Sequence, residues 1–146
     1  MNRREILIGA AAMAAAATTG RVFAESHEHK HEHGGAVRRN KDLIKSSQEC
    51  VAAGQVCVHH CLVLMGEGDK SLATCAISVS DLVAACSTLQ HLAAAESKYT
   101  IRMAKLVMDI CKECEEECKK QDKHEECKAC GEACAACYKE CKKLVG

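Results

Sequence analysis

The residues of this chain best equipped for chemistry are sulfurs. In the C-terminal stretch HEECKACGEACAACYKECKK, Cys127, Cys130, Cys134, Cys137 and Cys141 recur at alternating gaps of three and four. On an α-helix, at about 100° per residue, such spacing holds all five within roughly 80° of arc, the stripe that a bundle helix buries. Thiols therefore stand where leucines would ordinarily fill a core. Ala129, Ala133, Ala135 and Ala136 lie between them as small, strong helix formers, while Glu126, Lys128, Glu132, Lys139 and Glu140 supply the charges of a wetted face. A buried row of thiols is metal-ligand chemistry, because the thiolate is a soft donor.

The remaining sulfurs obey the same rule and need helices to place them. A first helix is predicted from an Asn40 cap to Met65, stopped by Gly66-Glu67-Gly68, with Leu43, Ser47, Cys50, Gly54, Cys57, Cys61, Leu64 and Met65 inward. A second starts at an Asp69 cap and runs to about Ala95. Its Cys75 and Cys86 are three turns apart on the face that also carries Val79, Leu82, Leu89 and Ala93. A third follows a Ser97 cap to about Lys120 and presents Met103, Val107, Ile110, Cys111, Cys114 and Cys118. Asp122 and Glu125 form a capping-box pattern that opens the fourth. Strand-like alternation is absent and the connections are short. The predicted fold is all-α: an antiparallel up-down-up-down four-helix bundle with a cysteine-lined core. That topology gathers Cys57, Cys61, Cys75, Cys114, Cys118, Cys127 and Cys130 at one end, and continues the lining with Cys50, Cys86, Cys134, Cys137 and Cys141.

Residues 1–24 read as an export signal: Arg3-Arg4, an apolar run from Ile6 to Ala17 too short to span a bilayer, and Val22-Phe23-Ala24 as a small-residue cleavage site. The paired arginines resemble the twin-arginine type, which carries proteins across already folded, so an exported, periplasmic protein is expected. Residues 25–39 read as a flexible leader in which His27, His29, His31 and His33 alternate with charged residues. Cleavage after Ala24 would make His27 the third residue and give a four-nitrogen amino-terminal site suited to Cu(II) or Ni(II). Residues 40–146 form the bundle. Acids and bases balance at 20 each, so no basic field calls for nucleic acid or a membrane surface, and no membrane insertion of the mature chain is expected.

Thirteen cysteines in an exported chain raise the disulfide reading first. The odd count and the helical spacing oppose it: Cβ atoms three or four apart on a helix are ~5–6 Å apart, where a disulfide wants ~3.8 Å. Bridges between facing helices remain open. Neutral thiols pack as small hydrophobes, whereas thirteen bare thiolates would each cost several kcal/mol of desolvation, of order 5. Metal uptake that releases protons resolves this, and Cu(I) fits best because two sulfurs on one helix can converge on it. Cys57-Cys61, Cys111-Cys114, Cys114-Cys118, Cys127-Cys130, Cys130-Cys134, Cys134-Cys137 and Cys137-Cys141 qualify as pairs. Zinc wants tetrahedral fours, and the spacing groups the thiols into none. The other function kept open is an iron–sulfur or disulfide-based redox protein, although ferredoxin clusters use close runs on loops. No catalytic set stands out, so an enzyme is not expected.

CxxHC at Cys57 to Cys61, CxxCxxxC at Cys111 to Cys118 and CxxCGxxCxxCxxxC at Cys127 to Cys141 resemble the exported copper storage proteins of the cysteine-rich four-helix-bundle family. The resemblance spans nearly all of the mature chain. It implies a bundle that fills its interior with multiple Cu(I) ions on cysteine thiolates, assembles as a homotetramer and serves a copper recipient that the sequence leaves unknown. It also implies a His and Met cluster at the open end that admits copper. Here His60 and Met65 occupy that region, with His124 nearby, while Leu64 and Leu72 stand where methionines would be expected. Expected ligands are thus all thirteen cysteines together with His60 and Met65.

Overall fold

A computed structural model describes residues 39–146. The export segment, the histidine leader up to residue 38 and the His27 site lie outside the described residues. Four long helices carry the fold: α1 (Lys41–Gly66), α2 (Ala73–Ala94), α3 (Thr100–Lys119) and α4 (Glu125–Val145), with a 3₁₀ turn at Lys70–Leu72 leading into α2. Each packs against its two neighbours in the ring: α1 on α2 and α4, and α3 on α2 and α4. This is the antiparallel four-helix bundle that the spacing predicts.

The buried faces follow the sulfur stripes. All thirteen cysteines are buried, and the aliphatic share of the core is concentrated on α2, with Val79 and Leu82 fully enclosed between Cys75 and Cys86 and Leu89 and Ala93 beyond Cys86. Each such leucine contributes about 1.5–3 kcal/mol by leaving water, so α2 drives much of the packing that the small thiols cannot. Gly54 lets α1 approach α2 closely: a Cβ at that position would sit 2.7 Å from Val83 Cγ2.

The helix ends depart from the sequence reading in three places. Asn40 stands at the start of α1, yet its side chain makes no cap; its Nδ2 donates instead to the Ala93 carbonyl at 2.9 Å and ties α1 to the end of α2. Ser97 does not open α3, which begins at Thr100 after a turn in which Ser97 Oγ accepts the Tyr99 N–H and Thr100 Oγ1 donates to the Ser97 carbonyl. The Asp122–Glu125 capping box does not form. His124 takes the cap position of α4 in an extended conformation, because its ring is engaged across the bundle by α1. By contrast Asp69 caps as expected, its Oδ1 accepting the Ser71 N–H at 3.0 Å. Gly68, at φ +105°, ends the α1 turn in a conformation that side chains rarely adopt.

Inward residues are otherwise those predicted, with corrections on α1, where Leu64 and Met65 are only half-buried, and on α3. Met103 and Ile110 are only half-buried, and Ala104 with Val107 seals the core there instead.

Candidate metal centre

The sulfurs meet across helices more than along them. Cys50, Cys86, Cys111 and Cys137 have their Sγ atoms within 4.8 Å of one another, and each comes from a different helix. Cys57 and Cys61 of α1 join Cys75 of α2 and Cys127 of α4 in a second quartet of the same tightness. Two trios lie between them: Cys57, Cys118 and Cys130, and Cys114, Cys130 and Cys134. These quartets correct the expectation that the thiols form no fours. Sequence spacing reports only same-helix neighbours, whereas the facing stripes of an antiparallel bundle bring sulfurs from several helices to one level. Cys111 shows the consequence, joining Cys50, Cys86 and Cys137 rather than Cys114. Cys141 is buried but belongs to none of the four groups.

The thiols hydrogen-bond one another. Cys57 Sγ donates to Cys127 Sγ at 3.6 Å, Cys75 Sγ donates to Cys127 at 4.0 Å and lies 3.9 Å from Cys118, and Cys86 lies 3.9 Å from Cys137. All thirteen are free thiols. Mutual donation divides them. Cys50 accepts from Cys111 first and then Cys134, which lowers it to about 5. Cys118 is brought to about 5: Cys114 pushes it up, but Cys130, Cys57 and Cys75 together outweigh that. Cys57 reaches about 7, with Cys118 raising it and Cys130 and Cys75 lowering it. Burial, followed by the charge of Cys57, pushes Cys61 and Cys127 up. Cys86 and Cys134 are raised by their contacts with Cys111 first. A few sulfurs are thus poised as thiolates inside a shell of thiol donors, and the rest must lose protons to bind a cation.

Above the Cys57–Cys61–Cys75–Cys127 quartet lies a polar cap. His60 Nε2 is 3.0 Å from His124 Nδ1, the rings meet edge to face at 4.9 Å, and His60 Nδ1 lies 3.5 Å from Glu126 Oε1. His124 Nε2 is buried with no hydrogen-bond partner. Met65 is half-buried and packs against the core. Leu72 is fully buried. Glu126 escaped the sequence reading, and His124 was placed only near the mouth. The available signal was their position at the start of α4, His124 three residues and Glu126 one residue before Cys127. His59 is exposed, as its direction on α1 predicts.

Soft donors, gathered in overlapping groups and shielded from water, are a site for a soft cation held by shared thiolates. A family model for copper storage proteins matches residues 36–146. The chain belongs to the copper storage protein family. The fold agrees: the apo form of copper storage protein 3 from Bacillus subtilis matches with a TM-score of 0.65 at 25% identity, covering 73% of this chain and 99% of that one. The Cu(I)-bound form of that protein matches with a TM-score of 0.67 at 26% identity, covering 73% of this chain and 98% of that one. No curated protein matches the chain significantly. Members of this family store metal rather than catalyse a reaction, and the buried thiol clusters of this chain fit multiple Cu(I) ions.

Proposed function

We propose that Cys50, Cys57, Cys61, Cys75, Cys86, Cys111, Cys114, Cys118, Cys127, Cys130, Cys134, Cys137 and Cys141 together bind the stored Cu(I). The observation that carries this reading is the sharing of sulfurs between groups: Cys57 belongs to a quartet and a trio, and Cys130 to both trios. A closed zinc or iron–sulfur site keeps its four sulfurs to itself. Three of the four groups are joined in this way, and the Cys50–Cys86–Cys111–Cys137 quartet meets them through the contacts of Cys134 with Cys111 and Cys50; such a net suits Cu(I), whose two- or three-coordinate ions can use one thiolate twice. Two private thiolates per ion would hold about six, and sharing raises the number toward the cysteine count.

His60, with His124 and Glu126, is the first contact at the mouth, and Met65 supplies a soft donor beside it. Residues 1–24 direct export by the twin-arginine route to the periplasm, residues 25–39 are a leader, and residues 40–146 are the store. The bundle assembles as a homotetramer; Val56, Leu62, Val63, Ile77, Ile101 and Leu106, large apolar side chains left about half exposed on α1, α2 and α3, support a partnered surface. α1 and Lys70–Ala94 are long and apolar enough to cross a membrane, but half of the second window is buried inside the bundle, which supports a core helix without membrane insertion.

The test is an anaerobic Cu(I) titration of the reduced chain against a strong Cu(I) chelator, with free thiols counted before loading. Many tightly held ions per chain with helicity retained is the expected result. Saturation at one or two ions would return the protein to the redox readings.

A further inference from the structure

Beside the mouth, a groove of about 550 Å³ runs along the outside of the bundle between α3 and α4. Its floor includes Cys118, Cys127 and Gly131. The wall of the thiol core is thin here because residue 131 has no side chain: a Cβ built on it would stand 3.4 Å from Cys118 Cβ. The other large groove, between α1 and α4, contacts no cysteine. Its floor is formed instead by residues such as Ser46, Ala135 and Ala136.

The rim of the sulfur-backed groove carries charge of both signs. Lys119 is engaged by Glu115 at 2.6 Å. Asp122, Lys128 and Glu132 also line the groove and have no ion-pair partner among the described residues. One free cation and two free anions over a floor behind which Cys118 and Cys127 lie almost wholly buried complement a molecule bearing a carboxylate, an ammonium group and a thiol.

We propose that this groove is a side port at which a small α-amino-acid thiol withdraws stored copper, its carboxylate on Lys128, its ammonium on Asp122 or Glu132 and its sulfur facing Cys118. The inference rests on the copper-storage reading. The step is a ligand exchange without redox change. The incoming thiolate forms a bond to Cu(I), the bond from copper to the Cys118 sulfur breaks, and that sulfur takes up the proton the small thiol gave up on ionising. Loading through the mouth and unloading through the side would then use different residues.

The experiment loads the chain anaerobically with Cu(I) and follows its loss to L-cysteine, 3-mercaptopropionate, which lacks the ammonium, and cysteamine, which lacks the carboxylate, at equal thiolate concentration. Cysteine should show saturation and remove copper about threefold to fivefold faster than the other two, the effect of one exposed ion pair. Lys128→Gln, a surface change, should bring the cysteine rate down to that of cysteamine. Gly131→Ala, whose Cβ would meet Cys118 Cβ at 3.4 Å, should thicken the wall and reduce the difference among the thiols, with helicity retained. Equal rates for all three thiols on the unaltered chain would overturn the proposal, as would a cysteine advantage over cysteamine that survives Lys128→Gln. A chain that takes up only one or two ions fails the storage reading before any thiol is added, so the two failures are separable.

Discussion

The two ends of the bundle hold similar sulfur quartets under different lids. At the mouth, Cys57, Cys61, Cys75 and Cys127 adjoin the polar cluster of His60, His124 and Glu126. At the far end, Cys50, Cys86, Cys111 and Cys137 are enclosed by Leu43, Leu89, Ala93, Ala104 and Val107. The same donor set thus has a polar, exchangeable neighbour at one end and an aliphatic seal at the other. On the reading proposed above, the difference would give the store a direction: ions would arrive at the first end and be relayed inward by sulfur exchange, while the second would retain them.

The largest expected effect breaks the comparison by occupying both ends. Each independent ion present at about 1,000 times its Kd stabilises the fold by about 4 kcal/mol, so the loaded bundle should withstand far more urea than the apo form. Anaerobic denaturation followed by circular dichroism checks this, and coincident curves would mean that the sulfurs do not hold copper in the folded state. Next in size is the seal. Leu89→Ala should cost the apo bundle about 2–5 kcal/mol, whereas Leu64→Ala, at the half-buried mouth, should cost clearly less. Equal losses at the two positions would remove the asymmetry.

A smaller effect is kinetic. His60→Ala combined with His124→Ala should slow Cu(I) uptake by about tenfold, a rise of about 1.4 kcal/mol in the barrier, and leave the final number of ions unchanged. The paired change Cys50→Ser and Cys86→Ser should do the reverse, lowering capacity and leaving the initial uptake rate alone. Stopped-flow uptake and end-point titration separate the two.

The smallest effect concerns protons. In the mouth quartet Cys57 sits near 7 and Cys61, Cys75 and Cys127 are all raised, so nearly every sulfur is protonated at neutral pH. In the far quartet Cys50 is lowered to about 5 and Cys137 is also lowered, so these two give up their protons more readily than the rest. Copper must displace more protons at the mouth, and affinity rises with pH in proportion to the protons displaced. Variants retaining a single quartet should therefore differ, with the mouth quartet gaining more affinity than the far one between about pH 6 and 8. Proton release measured with an indicator dye during titration gives the same comparison, and equal release from both would contradict it.

Much of this protein is local in origin, and that part was legible. Gaps of three and four place Cys127 to Cys141 on one helix face whatever surrounds them, and short connections between four such stripes leave an antiparallel bundle as the economical way to bury them. The cysteine motifs carried the family for the same reason. Cap residues were less legible: Asn40, expected to cap α1, is drawn to the Ala93 carbonyl 53 positions away, and the expected Asp122–Glu125 box gives way to His124, held by His60 64 positions away in sequence.

What the sequence by itself determined, then, was that the core would be sulfur and that helices would line it, because helical periodicity depends on neighbours three and four residues apart. Which sulfurs meet was decided only by the tertiary structure. Cys111 joins Cys50, Cys86 and Cys137 because the rotation and relative height of four helices set the distances between facing side chains. His60 meets His124 because the end of α1 and the start of α4 share the mouth, and Gly131 thins the wall over Cys118 because α4 packs closely on α3. Those relations are fixed by packing between helices, which no spacing along one helix encodes.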